Sequence, residues 1–381
     1  MVSAGIVAEF NPFHNGHKYL IEQAKKKADA VVVIMSGSFV QRGDIAVTDK
    51  WTRARNALSG GADLVIELPV IYSLNTAQKF AYGAIKTLES THVIDFLCFG
   101  SECGDINTLK HIAELTAKEP PEISEKIKRY IESGLSYPAA RSKAFSSVFG
   151  AHVLDTPNDI LAVEYLKAII ETGSSMQASA IKRIGTDHDS AIKSGGIASA
   201  SELRRMTMSG EDISVYVPSF SDFTRYDASR LDTTLIYKLL TSSAEYIRNI
   251  NDVSEGLENK FISAARSCGS MTELCDAVKS KRYTMSRIRR IAWSVLLDLT
   301  KELCSLPPSY IRVLGMNSTG RQLLKSMKCR AELPVIIKSA DYRSDEIFLA
   351  SNRAEDIFSL CCANPSLRAA GRDIRTTPII F

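Results

Sequence analysis

Four times in its first hundred residues this chain passes from a short run of strand-forming residues to a stretch with helical spacing. Ser3–Phe10 precedes a helix over Lys18–Ala28. Ala30–Met35 is nearly continuous in β-branched residues, the mark of a strand buried on both faces. Thr48 and Asp49 can cap a helix running to Leu58. Asp63–Leu68 reads as a strand stopped by Pro69, Asn75–Lys86 as a helix, and Val93–Phe99 as a strand again. This alternation predicts an α/β fold, with a Rossmann-like parallel sheet covered by helices on both faces. Ligands of such sheets bind beyond the carboxyl ends of the strands. The loops after Phe10, Met35, Leu68 and Phe99 are therefore expected to share one rim.

Further on the strand signal fades. Asp159–Glu171 is an amphipathic helix behind Thr156-Pro157-Asn158, and Ile181–Ile184 reads as one more strand. Ser199 or Ser201 can cap the helix that follows. The chain has 381 residues, more than one hydrophobic core usually supports. The expected division falls at Val217-Pro218-Ser219, giving residues 1–218 and a mainly helical part, 219–381. Within the latter, 224–306 is helical, and 310–316 and 334–338 read as strands.

A charged fraction of 24% beside 45% hydrophobic residues excludes a disordered chain. The first residues lack the basic start and apolar run of a signal peptide, and no apolar stretch is long enough to span a bilayer. Eight cysteines without a CxxC pair fit reduced thiols in a cytoplasmic protein, and no ligand spacing marks a metal site. Charge is uneven. Residues 1–250 carry 27 Lys and Arg against 29 Asp and Glu, a balance of −2; residues 251–381 carry 20 against 14, a balance of +6. The C-terminal part therefore points to a polyanionic partner.

The sharpest local feature is Asn11-Pro12-Phe13-His14-Asn15-Gly16-His17, between the first strand and first helix. Free N–H groups at a helix start favour phosphate. Two imidazoles there could donate to phosphoryl oxygens as charge builds on them. The competing reading is a pair of surface or capping histidines.

His14-x-x-His17 resembles the HxGH signature of the nucleotidyltransferase superfamily, which attacks the α-phosphate of ATP and expels pyrophosphate. Ser199-Ala200-Ser201-Glu202-Leu203-Arg204 is similar to that superfamily's second signature. Over nearly the whole chain, the segments EFNPFHNGH, MSGSFVQRGD, DKWTRA, GADLVIELP, CFGSE, PNDILAVEYLKA, IKRIG, EGLEN, KRYTMSRIRR and YIRVLG resemble those of the tRNA(Met) cytidine acetate ligase family. Phe10 stands where that family often has Tyr, and Asp159 where it often has Asn.

The resemblance implies a cytoplasmic ligase. It would activate acetate with ATP, accompanied by Mg2+, to acetyl adenylate and pyrophosphate. It would then acetylate N4 of the wobble cytidine in elongator tRNA-Met, releasing AMP. The stretch Val7-Ala8-Glu9-Phe10-Asn11-Pro12-Phe13-His14-Asn15-Gly16-His17-Lys18-Tyr19-Leu20 would wrap the nucleotide, with His14 and His17 on the phosphates. Gly100, Asn158, Arg183 and Ile184 match further ATP-contacting positions. Ser199, Ser201 and Arg204 would grip the leaving pyrophosphate. His14, His17, Ser201 and Arg204 are the expected catalytic set.

Two further groups follow from residue chemistry. Gln41 and Arg42, in the polar loop Ser36–Asp44, could face acetate or cytidine; a plain surface loop is the alternative. Lys279, Lys281, Arg282, Arg287, Arg289 and Arg290 lie in the acid-free window 277–297 with Tyr283 and Trp293 between them. Arginines and aromatics suit RNA backbone and unstacked bases; a solvated helix face is the alternative. Two other functions remain open at this point, a small-molecule adenylyltransferase and a non-catalytic RNA-binding module.

Overall fold

The computed structural model describes residues 1–150, 153–183, 198–218, 224–342 and 345–381. Ten strands are present among them: β1 Ser3–Ala8, β2 Ala30–Ser36, β3 Phe39–Val40, β4 Asp44–Ile45, β5 Leu64–Leu68, β6 Phe96–Ser101, β7 Gln177–Lys182, β8 Ile311–Met316, β9 Val335–Ile336 and β10 Ile379–Ile380. The main sheet runs β10-β8-β5-β2-β1-β6-β7, with β9 beside β8; β3 and β4 form a separate hairpin. All pairings in the main sheet are parallel except β5 with β8.

Every residue of β2 is buried, as its β-branched run requires. Successive side chains alternate between the two faces. Val31, Val33 and Met35 join the core beneath the helices Asn15–Lys25 and Lys50–Ser59, together with Ile21, Ala54 and Leu58. Val32 and Ile34 join the opposite core, which includes Phe80 and Leu88 of the helix Ala77–Glu89. That core continues into the C-terminal helices through Ile288, Ile291 and Val295.

Several elements differ from the sequence reading. The seventh strand is Gln177–Lys182, not Ile181–Ile184; it is a sheet edge with no fully buried residue, so no apolar run marks it. Three helices, Ile106–Ala117, Pro121–Glu132 and Tyr137–Phe149, occupy a stretch left unread. The helix Pro157–Thr172 is capped at Thr156, which places Asn158 in its first turn. β8, β9 and β10 come from beyond residue 218, and Leu314 of β8 packs with Val31 and Val33. One sheet therefore draws on both sides of the expected division.

Strand order reverses at β1. The chain passes from β1 to β2 and β5 on one side, then crosses to β6 and β7 on the other. The crevice between the carboxyl ends of β1 and β6 is the expected ligand position in such a sheet.

Candidate active site

The motif residues sit at this crevice. The helix Asn15–Lys25 starts with His14 as its N-cap, in a reciprocal capping box. Gly16 N–H donates to His14 Nδ1 at 3.0 Å, and His14 N–H donates to His17 Nδ1 at 3.3 Å. Both rings therefore accept at Nδ1, and these contacts assign the ring proton to Nε2 in each. No described residue accepts from either Nε2. A Cβ at Gly16 would lie 2.9 Å from His14 Cε1, so a larger residue there would displace the ring.

The two imidazoles stack with centroids 3.7 Å apart, and Phe10 meets the His17 ring edge-on at 4.8 Å. Burial, with the charges of Arg183 and Arg204, pushes His14 down to about 3. Burial, His14 and Arg183 push His17 well below its usual value. At neutral pH the pair is thus two neutral N–H donors in a cationic setting. Such donors suit an anionic ligand without prior proton uptake. The capping geometry occupies Nδ1 of each ring and leaves Nε2 for another partner.

The remainder of the expected nucleotide stretch serves several ends. Val7 and Ala8 end β1. Asn11 is locked: its Oδ1 accepts from Val47 N–H at 2.8 Å, and its Nδ2 donates to the Ile45 carbonyl at 3.4 Å. Asn11-Pro12 is a cis peptide, and Phe13 is buried edge-on to Phe10 at 4.9 Å. Asn15 N–H donates to the Tyr216 carbonyl at 2.9 Å. Lys18 is exposed beside Glu22, while Tyr19 and Leu20 are half-buried in the first turns of the helix.

The serine turn faces the motif. Ser199 caps the helix Ala200–Ser209 by accepting from Glu202 N–H at 3.1 Å. Arg204 donates to the Asn11 carbonyl at 3.0 Å and to Ser201 Oγ at 3.1 Å. The second signature is thereby tied to the first.

Near the carboxyl end of β6, Gly100 lies against the Arg183 side chain. Arg183 Nε stands 3.9 Å from Glu102, and that buried nitrogen has no hydrogen-bond partner. Asn158 Nδ2 donates to Glu102. Asp159 is the turn's anchor: it accepts from Ser101 Oγ, Glu102 N–H, Cys103 N–H and Thr156 Oγ. Ile184 lies outside the described residues.

Glu9 accepts from Gln41 N–H at 2.8 Å; burial raises its pKa, against that bond and the charges of Arg204, Arg42 and Arg53. Arg42 is exposed at the tip of the β3–β4 hairpin. Gly43, beside it, has φ of +77°, and a Cβ there would lie 2.7 Å from Arg290 N. The hairpin can approach the helix Met285–Leu297 this closely only with glycine at that point.

Sequence reasoning missed Arg53. Its guanidinium is fully buried and donates to the carbonyls of Thr48, Glu9, Ser36 and Gly37, tying together the carboxyl ends of β1 and β2. Burial lowers it to about 10, so it remains charged at neutral pH. The available signal was Lys50 and Arg53 on the same stripe as Ala54 and Ala57, a charged pair on a buried helix face.

The basic window divides in two. Lys279, Lys281 and Arg282 are exposed. Arg287 and Arg290 pair with Asp252 at 3.1 and 3.0 Å, and Arg290 is buried. Arg289 pairs with Asp44 at 3.0 Å, and Trp293 Nε1 donates to the Gly43 carbonyl at 3.0 Å. The helix Met285–Leu297 thus holds the hairpin.

Residues 1–373 match the HIGH Nucleotidyl Transferase family. A tRNA(Met) cytidine acetate ligase of Acetivibrio thermocellus is 38% identical over 415 aligned positions, covering 99% of both chains. One of Thermoanaerobacter sp. is 40% identical, covering 97% of both. The chain belongs to the tRNA(Met) cytidine acetate ligase family. Among solved structures, Thermotoga maritima TmcAL bound with alpha-thio ATP superposes with a TM-score of 0.89 at 31% identity, each chain covered in full. Its apo form gives 0.88. A TmcAL relative therefore holds an ATP analogue on this fold. No group of three or more His, Cys, Asp and Glu among the described residues could hold a metal ion. No helix there is long and apolar enough to cross a membrane.

Proposed function

We propose that this chain is an ATP-dependent tRNA(Met) cytidine acetate ligase. The observation that carries the reading is the pair of neutral imidazoles presenting Nε2–H at the β1–β6 crevice, with Arg183 and Arg204 near them. An acetate oxygen attacks the α-phosphorus of ATP, and the α–β bridging bond breaks to release pyrophosphate. His14 and His17 donate to phosphate oxygens as charge grows on them, which typically contributes ~100- to 1,000-fold per donor. Arg204, steadied by Asn11 and Ser201, takes the departing pyrophosphate, and Arg183, beside Gly100, takes a phosphate oxygen. Gly100 lets adenosine approach the end of β6. Mg2+ would travel on the ATP phosphates.

The second step joins the acetyl carbon to N4 of the wobble cytidine in elongator tRNA-Met. The carbon–oxygen bond to AMP breaks, AMP leaves, and N4 loses one proton. Lys279, Lys281 and Arg282 supply exposed cations for the RNA backbone. A small-molecule adenylyltransferase would perform only the first type of step. The test is mass spectrometry of tRNA-Met after incubation with protein, ATP and labelled acetate. Labelled N4-acetylcytidine is expected. Adenylylation of a small molecule without labelled tRNA would contradict the reading.

A further inference from the structure

A cleft of about 350 Å3 opens between the β3–β4 hairpin, the helix Ala200–Ser209 and the helix Met285–Leu297. That volume falls within the range of small-molecule sites, roughly 300–1,000 Å3. Arg204 belongs both to the phosphate group and to the cleft wall. Trp293 and Met285 supply apolar surface, and Asp44 and Arg289 meet across the wall at 3.0 Å. Neither of those two is sequestered: their side chains are 38% and 42% exposed. The cleft also adjoins the motif electrically: burial lowers the pKa of Arg204, and Glu9 and then Asp44 oppose that shift.

An adjacent carboxylate and guanidinium have a defined complement. A ligand edge with a donor beside two acceptors satisfies both. The Watson–Crick edge of cytosine has that order: the N4 amine donates, and N3 and O2 accept. Uracil offers O4 and N3–H instead, which places an acceptor against a carboxylate. Carboxylates reading the cytosine amine are a recurring form of base recognition. We propose that this cleft receives the acceptor cytosine, with Asp44 accepting from N4–H and Arg289 donating to N3 and O2. The assignment rests on the function proposed above. The hairpin does not depend on this ion pair for its position, because Trp293 and Arg290 also bond its backbone.

The test compares two unmodified tRNA-Met transcripts that differ only by cytidine or uridine at the target position. Filter binding gives a dissociation constant for each, with wild type, Asp44→Asn and Arg289→Lys. Wild type should prefer cytidine by about 10- to 100-fold. In Asp44→Asn the amide can serve either base, so the preference should shrink to about twofold or less. Arg289→Lys should keep an intermediate preference. A structural role for Asp44 would weaken both transcripts alike; an unchanged ratio in Asp44→Asn overturns the proposal, as does a wild type without preference. Acetylation by wild type is measured in parallel. Normal acetylation with an Asp44-independent ratio removes only the cleft assignment, whereas absent acetylation removes the proposed function and the assignment with it.

Discussion

Two groups of buried charge lie at the carboxyl ends of neighbouring strands, and they are built oppositely. Beyond β2 and β5, the fully buried Lys50 ammonium meets Glu67 at 2.7 Å, Asp373 at 3.0 Å and Glu355 at 3.8 Å. Arg312 reaches the same Asp373 at 3.1 Å. Although burial alone would lower Lys50, these carboxylates raise its pKa, while burial raises Glu355 to about 7. Beyond β1 and β6, His14 and His17 are neutral, and the Arg183 Nε has no hydrogen-bond partner. The first group turns its charges on one another and joins β5, β8 and the C-terminal segment. The second keeps donors unmatched by protein. Sign separates the two: the first group sets three carboxylates against its two cations, whereas the second sets neutral imidazoles beside arginines, a setting for an anion.

Substitution should separate the two sharply. Lys50→Met leaves the buried Glu67 and Glu355 without their cation and Asp373 with Arg312 alone. It should cost about 3–5 kcal/mol of folding stability, read by denaturant titration. A loss below ~1 kcal/mol would place Lys50 outside the scaffold. His14→Ala and His17→Ala should instead lower acetate-dependent AMP formation by about 100- to 1,000-fold each. Near-wild-type turnover in both would remove the histidines from the chemistry.

The basic window extends the same comparison. Lys279→Glu, Lys281→Glu and Arg282→Glu together should flatten the salt dependence of tRNA binding, by roughly 0.7 to 0.9 in log–log slope per lost phosphate contact. Arg290→Ala should show up in melting experiments, because it leaves Asp252 short of a buried partner. A triple variant with an unchanged slope would move the RNA contact elsewhere.

A further expected effect concerns pH. His14 has a folded pKa of about 3 against an ordinary value near 6.5. Between those values the unfolded chain binds the proton and the folded chain does not. Stability should therefore fall as pH drops below 6.5, by at most about 1.4 kcal/mol per pH unit from this residue. His14→Gln should flatten that part of the stability curve. An equal slope in both proteins would mean that His14 titrates normally when folded.

The sequence exposes some of this and conceals the rest for physical reasons. β2 is legible because full burial demands an unbroken apolar run, and the histidine pair is legible because its spacing is local. Arg53 is concealed because its role depends on carbonyls from three separate segments. Arg287 and Arg290 look like a solvated or RNA-facing row because Asp252, which holds them, lies more than thirty residues away. β10 is two residues long, and only its pairing to β8 makes it a strand. Asp159 shows itself as a helix-start carboxylate, whereas its four donors come largely from the distant β6 turn.

The central claim, acetate activation at the α-phosphate of ATP, is tested most directly with acetate carrying 18O in both oxygens. Attack on the α-phosphorus leaves one of those oxygens on AMP when the acetyl group departs. Mass spectrometry of the products should find one 18O in AMP and one in the acetyl group of the cytidine, with unlabelled pyrophosphate. Unlabelled AMP, or ADP with 18O in inorganic phosphate, would contradict the account.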